Sequence, residues 1–289
     1  MSKLNKIIII FASIGFALCI FGAAFGGHFG MYLDKDGFHA TPKHGLEITR
    51  SFDDVTNIYI KYDNSKVEII PGSEFSVIAK YMYGEPKIEF DNGNLEIYGG
   101  AHQSWFNIGF TLGFEKLTVT IPTGSTLEKL RVYNDNGAIN ISSEVYADIF
   151  YTEGRNGSIR VGNITATEAK IQNKNGAVRV FDLTAETVEV QNRNGSITLG
   201  NFTSTTGKIR CENGSITVDG IAGRNEFKNE NGSIKISAFY LDNFYIQAYT
   251  ENGSCKLNGE KIKYPIGNKS APNQIIAENQ NGSIKIFDK

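Results

Sequence analysis

Histidine is scarce in this chain, and all four copies precede residue 103. The long remainder therefore has no imidazole for acid–base or nucleophilic catalysis, and it lacks the commonest transition-metal ligand. His102, beside Gln103 and Ser104, has no sequence neighbours that would assemble a Ser-His-Asp triad around it. Cysteine is rarer still, with three copies, of which Cys19 lies inside an apolar N-terminal run. That is too few for the disulfide framework of a small stapled domain. Neither sign of charge dominates, the formal net charge being −2, so a nucleic acid is not an expected partner. No cofactor is expected either.

What the sequence has instead is repetition. The tetrad Asn-Gly-(Ser/Ala)-(Ile/Val) begins at Asn136, Asn156, Asn175, Asn194, Asn213, Asn231 and Asn281, with a Cys-ending variant at Asn252. Copies follow one another after 18 to 21 residues, except the last, which follows after 29. A period of this size belongs to stacked supersecondary units rather than to an ordinary globular core. Counting from the repeat Asn as zero, positions +3 and +5 are apolar in every copy, as in Ile197 and Leu199, while +4 between them is polar. That alternation has the two-residue period of a strand and fits no helix. Position +8 (Ile164, Leu183, Phe202, Ile221, Phe239) and position −4 (Val132, Ile171, Val190, Ile209, Phe227) add two more apolar columns. Each unit thus turns inward on several sides.

The expected fold is all-β: a single-stranded parallel β-solenoid, or β-helix, of about eight coils of roughly 19 residues, preceded by one N-terminal transmembrane helix. An antiparallel meander is the competitor, because Asn-Gly before alternating apolar residues is also a hairpin signal. A meander needs two turns per unit, whereas one Asn-Gly recurs per unit here. Gly at +1 suits a corner with positive φ. Stacking would bring the eight repeat Asn side chains to the strand spacing, where their amides can bond along the axis as a ladder. Asn134, Asn173, Asn192, Asn229 and Asn279, all at −2, suggest a second, partial ladder. Cys211 and Cys255 fall at different coil positions two coils apart, too far to bridge.

Ahead of the repeats, residues 1–6 form a short basic leader and 7–30 a transmembrane anchor, since 7–27 carry no charge and about 20 apolar residues cross a bilayer as one helix. The leader's lysines predict a single-pass membrane protein, N-terminus cytoplasmic and the bulk outside. A cleaved signal peptide is the rival reading. Residues 31–45 read as a polar tether and 46–289 as an extracytoplasmic β domain, with leading and capping strands over 46–125 and repeat coils over 126–289. Asn64 and Asn92 begin degenerate versions of the tetrad.

Three features break the repetition and are the candidates for chemistry. Glu212, Glu230 and Glu251 share position −1 on what sequence order makes three consecutive coils. Stacked carboxylates could hold a calcium ion, although a solvated charge stripe is the simpler reading and no metal is expected. Tyr245 and Tyr249 alternate outward by pattern and Tyr240 sits near a corner, giving an aromatic surface for a sugar or a protein. The extra residues around 258–273, with Pro265 and Pro272, are expected to leave the stack as an arm. The final coil, ending at Lys289, is expected to present an open edge that a partner strand could join.

A basic leader, an Ile-rich run ending Gly-Ala-Ala-Phe-Gly-Gly, the strand Val119-Thr-Ile121-Pro122-Thr-Gly124 and the Asn-Gly-x-Ile coils together resemble the bacterial putative-adhesin family of β-strand-repeat proteins, a domain of unknown function, in its membrane-anchored Firmicutes form. The resemblance covers about residue 46 onward. It implies a β-solenoid and a surface or envelope-stress context, and brings no catalytic residues to carry over. The expected function is a membrane-anchored, non-catalytic binding, adhesion or scaffold module, with a surface glycan or a protein as partner. An envelope-stress accessory that organises membrane partners is the alternative. A carbohydrate-active enzyme is third, because a convergent carboxylate pair is missing from the pattern.

Overall fold

The computed structural model describes residues 3–24, 30–34, 37–40, 45–81, 84–99, 106–109 and 115–289. Apart from a helix over Lys3–Ala24 and a short 3-10 turn over Leu241–Asn243, its regular elements are strands. The helix begins inside the expected leader and stops short of residue 30, where the strand Gly30–Asp34 begins. Part of the expected anchor lies outside the described residues, and among those described no helix is long and apolar enough to cross a membrane. Gly30–Asp34 pairs antiparallel with Gly37–Ala40 and with Phe106–Gly109 in a small separate sheet, so the stretch expected as a tether contains strands. His102 lies outside the described residues.

The repeats stack in parallel, which settles the choice against a meander. Ile159–Asn175 pairs in register with Val178–Asn194, which pairs with Ile197–Asn213, so that Asn175, Asn194 and Asn213 are direct neighbours. The +3, +5 and −4 columns become one core running along the axis: Ile197, Leu199 and Ile209 are all 0% exposed. At +8 the expectation holds for Ile164, Leu183, Phe202 and Ile221 but not for Phe239, which is 50% exposed while Ala238 is buried. The reason is local. In that coil Ile234–Ala238 keeps strict alternation past +5, so +7 turns inward and +8 outward.

Each corner is built on one steric fact. The corner Gly has φ between 117° and 156° at Gly137, Gly157, Gly176, Gly195, Gly214, Gly232 and Gly282, a range that favours glycine. A Cβ on Gly195 would lie 2.3 Å from the carbonyl oxygen of Gly176 in the coil before it. The Gly N–H donates to the repeat Asn carbonyl of the next coil, as Gly176 does to Asn194 at 2.8 Å. The Gly carbonyl takes a side chain instead: Asn173 donates to Gly157 at 3.0 Å, Asn192 to Gly176 at 2.8 Å, Asn229 to Gly214 at 3.0 Å and Asn279 to Gly232 at 2.9 Å. Cys211 and Thr250 serve Gly195 and Gly282 in the same way. The −2 asparagines are therefore staples to backbone and form no second ladder.

The first ladder is real and longer than expected. Each repeat Asn donates through Nδ2 to Oδ1 of the coil before it, over 2.7 to 3.0 Å, from Asn136 to Asn64 at one end and from Asn252 to Asn281 at the other. Asn64 thus carries a true corner. Asn92 does not: with Gly93 it makes the positive-φ turn of an antiparallel hairpin.

Stack order departs from chain order at the far end. Asn281 donates to Asn231, and Asn252 donates to Asn281, each at 2.9 Å. The last coil of the sequence is inserted between the two before it: Ile284–Asp288 pairs with Ile234–Ala238 on one side and Cys255–Leu257 on the other. The expected open edge at Lys289 is therefore occupied, and Cys211 and Cys255 lie one coil further apart than chain order suggests. The outermost coil is that of Asn252. The expected arm folds back along it, through Glu260–Lys261 antiparallel to Cys255–Leu257 and a bridge of Ile266 to Ile246. At the opposite end, Asn94–Tyr98 and Lys116–Pro122 underlie the Asn64 coil in parallel, and the antiparallel strands Lys87–Asp91, Phe75–Tyr81 and Leu46–Phe52 close the stack.

The corner gives a direct test. Gly195→Ala forces both a disfavoured φ and a backbone contact, and should cost about 2 kcal/mol or more in urea unfolding. Ser196→Ala, one residue on, should stay within about 0.5 kcal/mol. Equal midpoints for the two would remove the steric account of the corner.

Candidate functional site

The strand leading into each corner puts positions −5, −3 and −1 on the outer surface, because −4 and −2 point inward. Parallel, in-register stacking then lines these positions into three columns. The −1 column reads Asp135, Arg155, Lys174, Arg193, Glu212, Glu230, Gln280 and Glu251 in stack order. Opposite charges meet along the wall: Arg193 and Glu212 at 2.8 Å, Arg155 and Asp135 at 3.5 Å, and Lys170 and Glu189 of the −5 column at 3.0 Å. Between the −3 and −1 columns runs a channel of about 610 Å³, with a floor at Gly154, Asn173, Asn192 and Cys211 and polar sides that include Gln172, Gln191 and Arg210. Burial, helped by Glu212, pushes the Cys211 thiol up to about 11, so at neutral pH it stays protonated and unreactive.

Toward the Asn64 end the same wall turns aromatic. Tyr98, Tyr59, Tyr133 and Tyr151 sit alternately in the −3 and −5 columns of successive layers. Their ring centroids are 5.7, 5.4 and 5.1 Å apart, in tilted contacts. This zigzag is the spacing at which aromatic pairs attract. Carboxylates hold the hydroxyls at its two ends: Tyr98 donates to Glu96 at 2.7 Å and Tyr151 to Glu153 at 2.6 Å. The hydrogen bond to Glu96 pushes the Tyr98 phenol up to about 12. Burial first, then Glu153, raises that of Tyr151 as well. The row leads into the channel, since Tyr151 also reaches Gln172 at 3.0 Å.

The residues singled out by sequence fare differently. The inserted coil places Gln280 between Glu230 and Glu251, so the three glutamates do not occupy consecutive layers. Among the described residues, no group of three or more His, Cys, Asp and Glu is arranged to hold a metal ion. Tyr245, expected to face outward, is buried at 8% exposed, and the returning segment runs beside its backbone. A Cβ on Gly267 would lie 3.3 Å from the Tyr245 Cα. Tyr240 and Tyr249 are exposed, but Tyr240 stands at φ 59° ahead of the 3-10 turn and Tyr249 on the outermost coil. Among the described residues no ring contact joins the three. The row that does form was missed, although Tyr133 and Tyr151 already sat at outward positions of adjacent coils.

The Toastrack DUF4097 family model matches residues 55–287. Among solved structures, the chain is similar to a putative adhesin from Bacteroides fragilis, at 13% identity and TM-score 0.54, covering 85% of this chain and 98% of that one. It is also similar to a putative lipid binding protein from Parabacteroides distasonis, at 13% identity and TM-score 0.51, covering 84% and 96%. At such identities the likeness is one of fold. No curated protein matches.

The fixed hydroxyls make a pH prediction. Tyr98 keeps its proton in the folded state up to about 12, whereas an unfolded tyrosine loses it near 10. Between those values the folded state binds more protons, so stability falls as pH rises through the window. Melting temperatures measured from pH 9 to 12 should drop less steeply for Tyr98→Phe than for the native chain, and parallel slopes would contradict the assignment.

Proposed function

The chain belongs to the Toastrack DUF4097 family, and from that premise we propose that it is a non-catalytic binding, adhesion or scaffold module displayed on a bacterial cell surface. The observation that carries this reading is the outer wall, where the tyrosine row of Tyr98, Tyr59, Tyr133 and Tyr151 runs into a channel lined by amides and by charges of both signs. Aromatic side chains held in place lose little entropy when a ligand covers them, and they supply most of the contact energy in recognition surfaces. The flanking charges add orientation rather than affinity. The partner class is a surface glycan or a protein. The uncharged run 7–27 is proposed to hold the module at the outer face of the membrane.

Two measurements test this reading. On an array of bacterial surface glycans and in pull-downs of envelope proteins, Tyr59→Ala/Tyr133→Ala should bind at least about tenfold more weakly than the native chain, with circular dichroism confirming the fold. Undiminished binding would clear the wall of that role, and turnover of an arrayed glycan would overturn the non-catalytic reading. In cell fractionation the full chain should pellet with membranes and a variant lacking 3–24 should not. A full chain found wholly in the soluble fraction would end the membrane proposal.

A further inference from the structure

The inserted coil is held by the stack on both of its sides. Gln274–Asn281 pairs with Arg224–Asn231 and Ile284–Asp288 with Ile234–Ala238. On the opposite side, Asn273–Asn281 pairs with Phe244–Asn252 and Ile284–Ile286 with Cys255–Leu257. Side chains complete the fit: Asn281 and Asn279 bond to Asn231 and the Gly232 carbonyl at 2.9 Å, and the Gly223 amide bonds to Asn273 at 2.8 Å. Lys289 pairs with Asp219 at 3.0 Å. Within the coil Ile275, Ile284 and Ile286 are 0% exposed. Gln274 bonds back to the coil's own connector at Lys269 and Ala271, and Asn258, where that connector leaves the outermost coil, bonds to Ile286 and Asp288.

Every other bond would be reproduced by the same coil arriving from a different molecule. We propose that the slot between the Asn231 and Asn252 coils exchanges its occupant between copies, so that Asn273–Asp288 of one chain fills the slot of a second. The slot is formed by residues that precede its occupant in the chain, so it opens before that occupant is made. While open it presents two unpaired strand edges and an apolar column, and such edges recruit any strand of matching pattern. What matches here is an Asn-x-Asn-Gly-Ser-Ile-x-Ile coil, which a second copy carries. The connector permits the transfer. Residues 258–272 are mostly exposed, and about 15 residues extended reach some 50 Å, far more than one coil spacing. Reciprocal exchange gives a closed two-fold dimer, and one-way exchange an open chain of copies.

Lys235 on one wall of the slot and Lys285 on its occupant are in-register neighbours and both are exposed. Neighbouring strands lie about 4.8 Å apart, within the Cα separation a disulfide accepts. The experiment takes two full-length chains, one with Lys235→Cys and one with Lys285→Cys, refolded together in mild detergent and then oxidised. The expected product is a covalent heterodimer at twice the monomer mass, with peptide mapping placing its disulfide between positions 235 and 285. A single chain carrying both substitutions closes the same bond internally and reports that the slot has formed. Monomer alone after refolding together would overturn the proposal. So would a dimer lacking that cross-link, or a cross-link forming equally well when the two chains are folded apart and then mixed.

Discussion

Everything in this architecture depends on the corner glycine. Its missing Cβ lets one coil's backbone approach the next so closely that, at Gly157, a Cβ would sit 2.0 Å from the Gly137 carbonyl oxygen. Its φ turns the chain from one inward strand to the next. The same geometry leaves its carbonyl outside the backbone ladder, and a buried carbonyl without a donor costs about 1–3 kcal/mol. The −2 side chain removes that cost. Gly, the Asn that turns with it, and the Asn two residues earlier are thus three answers to one steric problem, which is why they recur together while most other positions drift.

Once the corner is fixed, the wall follows without further specification. Parallel stacking in register makes each outward position a column, and the chemistry of the surface then depends on which residues fill three columns over successive layers. Regular stacking spreads the outward chemistry along the axis. The paired charges of Arg193 with Glu212 and Lys170 with Glu189 and the tyrosine row are both products of adjacency between coils, and neither exists within any one coil.

That distinction sets what the sequence made legible. The inward columns could be read directly, since the two-residue period of Ile197 and Leu199 and the −4 residues such as Val190 are local facts. The ladder could be read from the recurrence of one residue at one spacing. What failed were the inferences that needed layer order or local departures from alternation. Chain order puts Glu251 beside Glu230, and stack order puts Gln280 between them. Alternation points Tyr245 outward, yet it is buried, on a strand whose backbone the returning segment runs beside at Gly267. The tyrosine row went unseen because Tyr59 and Tyr98 lie in leading strands whose pairing, Asn57–Tyr62 on Asn94–Tyr98, no periodicity announces. The −2 asparagines resembled a ladder because the orphaned Gly carbonyl is visible only once the corner is built.

Burial also explains why stack order and chain order part company at the far end. The two coils competing for the outermost layer are alike at −6, where Ile275 pairs with Ile246, and differ at +3 and +5. There the Asn281 coil brings Ile284 and Ile286, each 0% exposed where it lies, and the Asn252 coil brings Cys255 and Leu257. A terminal layer leaves one face of its core residues uncovered, and fully burying an Ile side chain is worth roughly 1.5–3 kcal/mol. Placing Ile284 and Ile286 inside and Cys255 with Leu257 at the end therefore lowers the free energy in these two columns, provided the chain can pass the end of the stack and return. The 29-residue spacing supplies that passage, and its middle portion, paired through Glu260–Lys261 and Ile266, shields the edge it passes. The irregular last spacing is thus the structural cost of covering Ile284 and Ile286 on both faces.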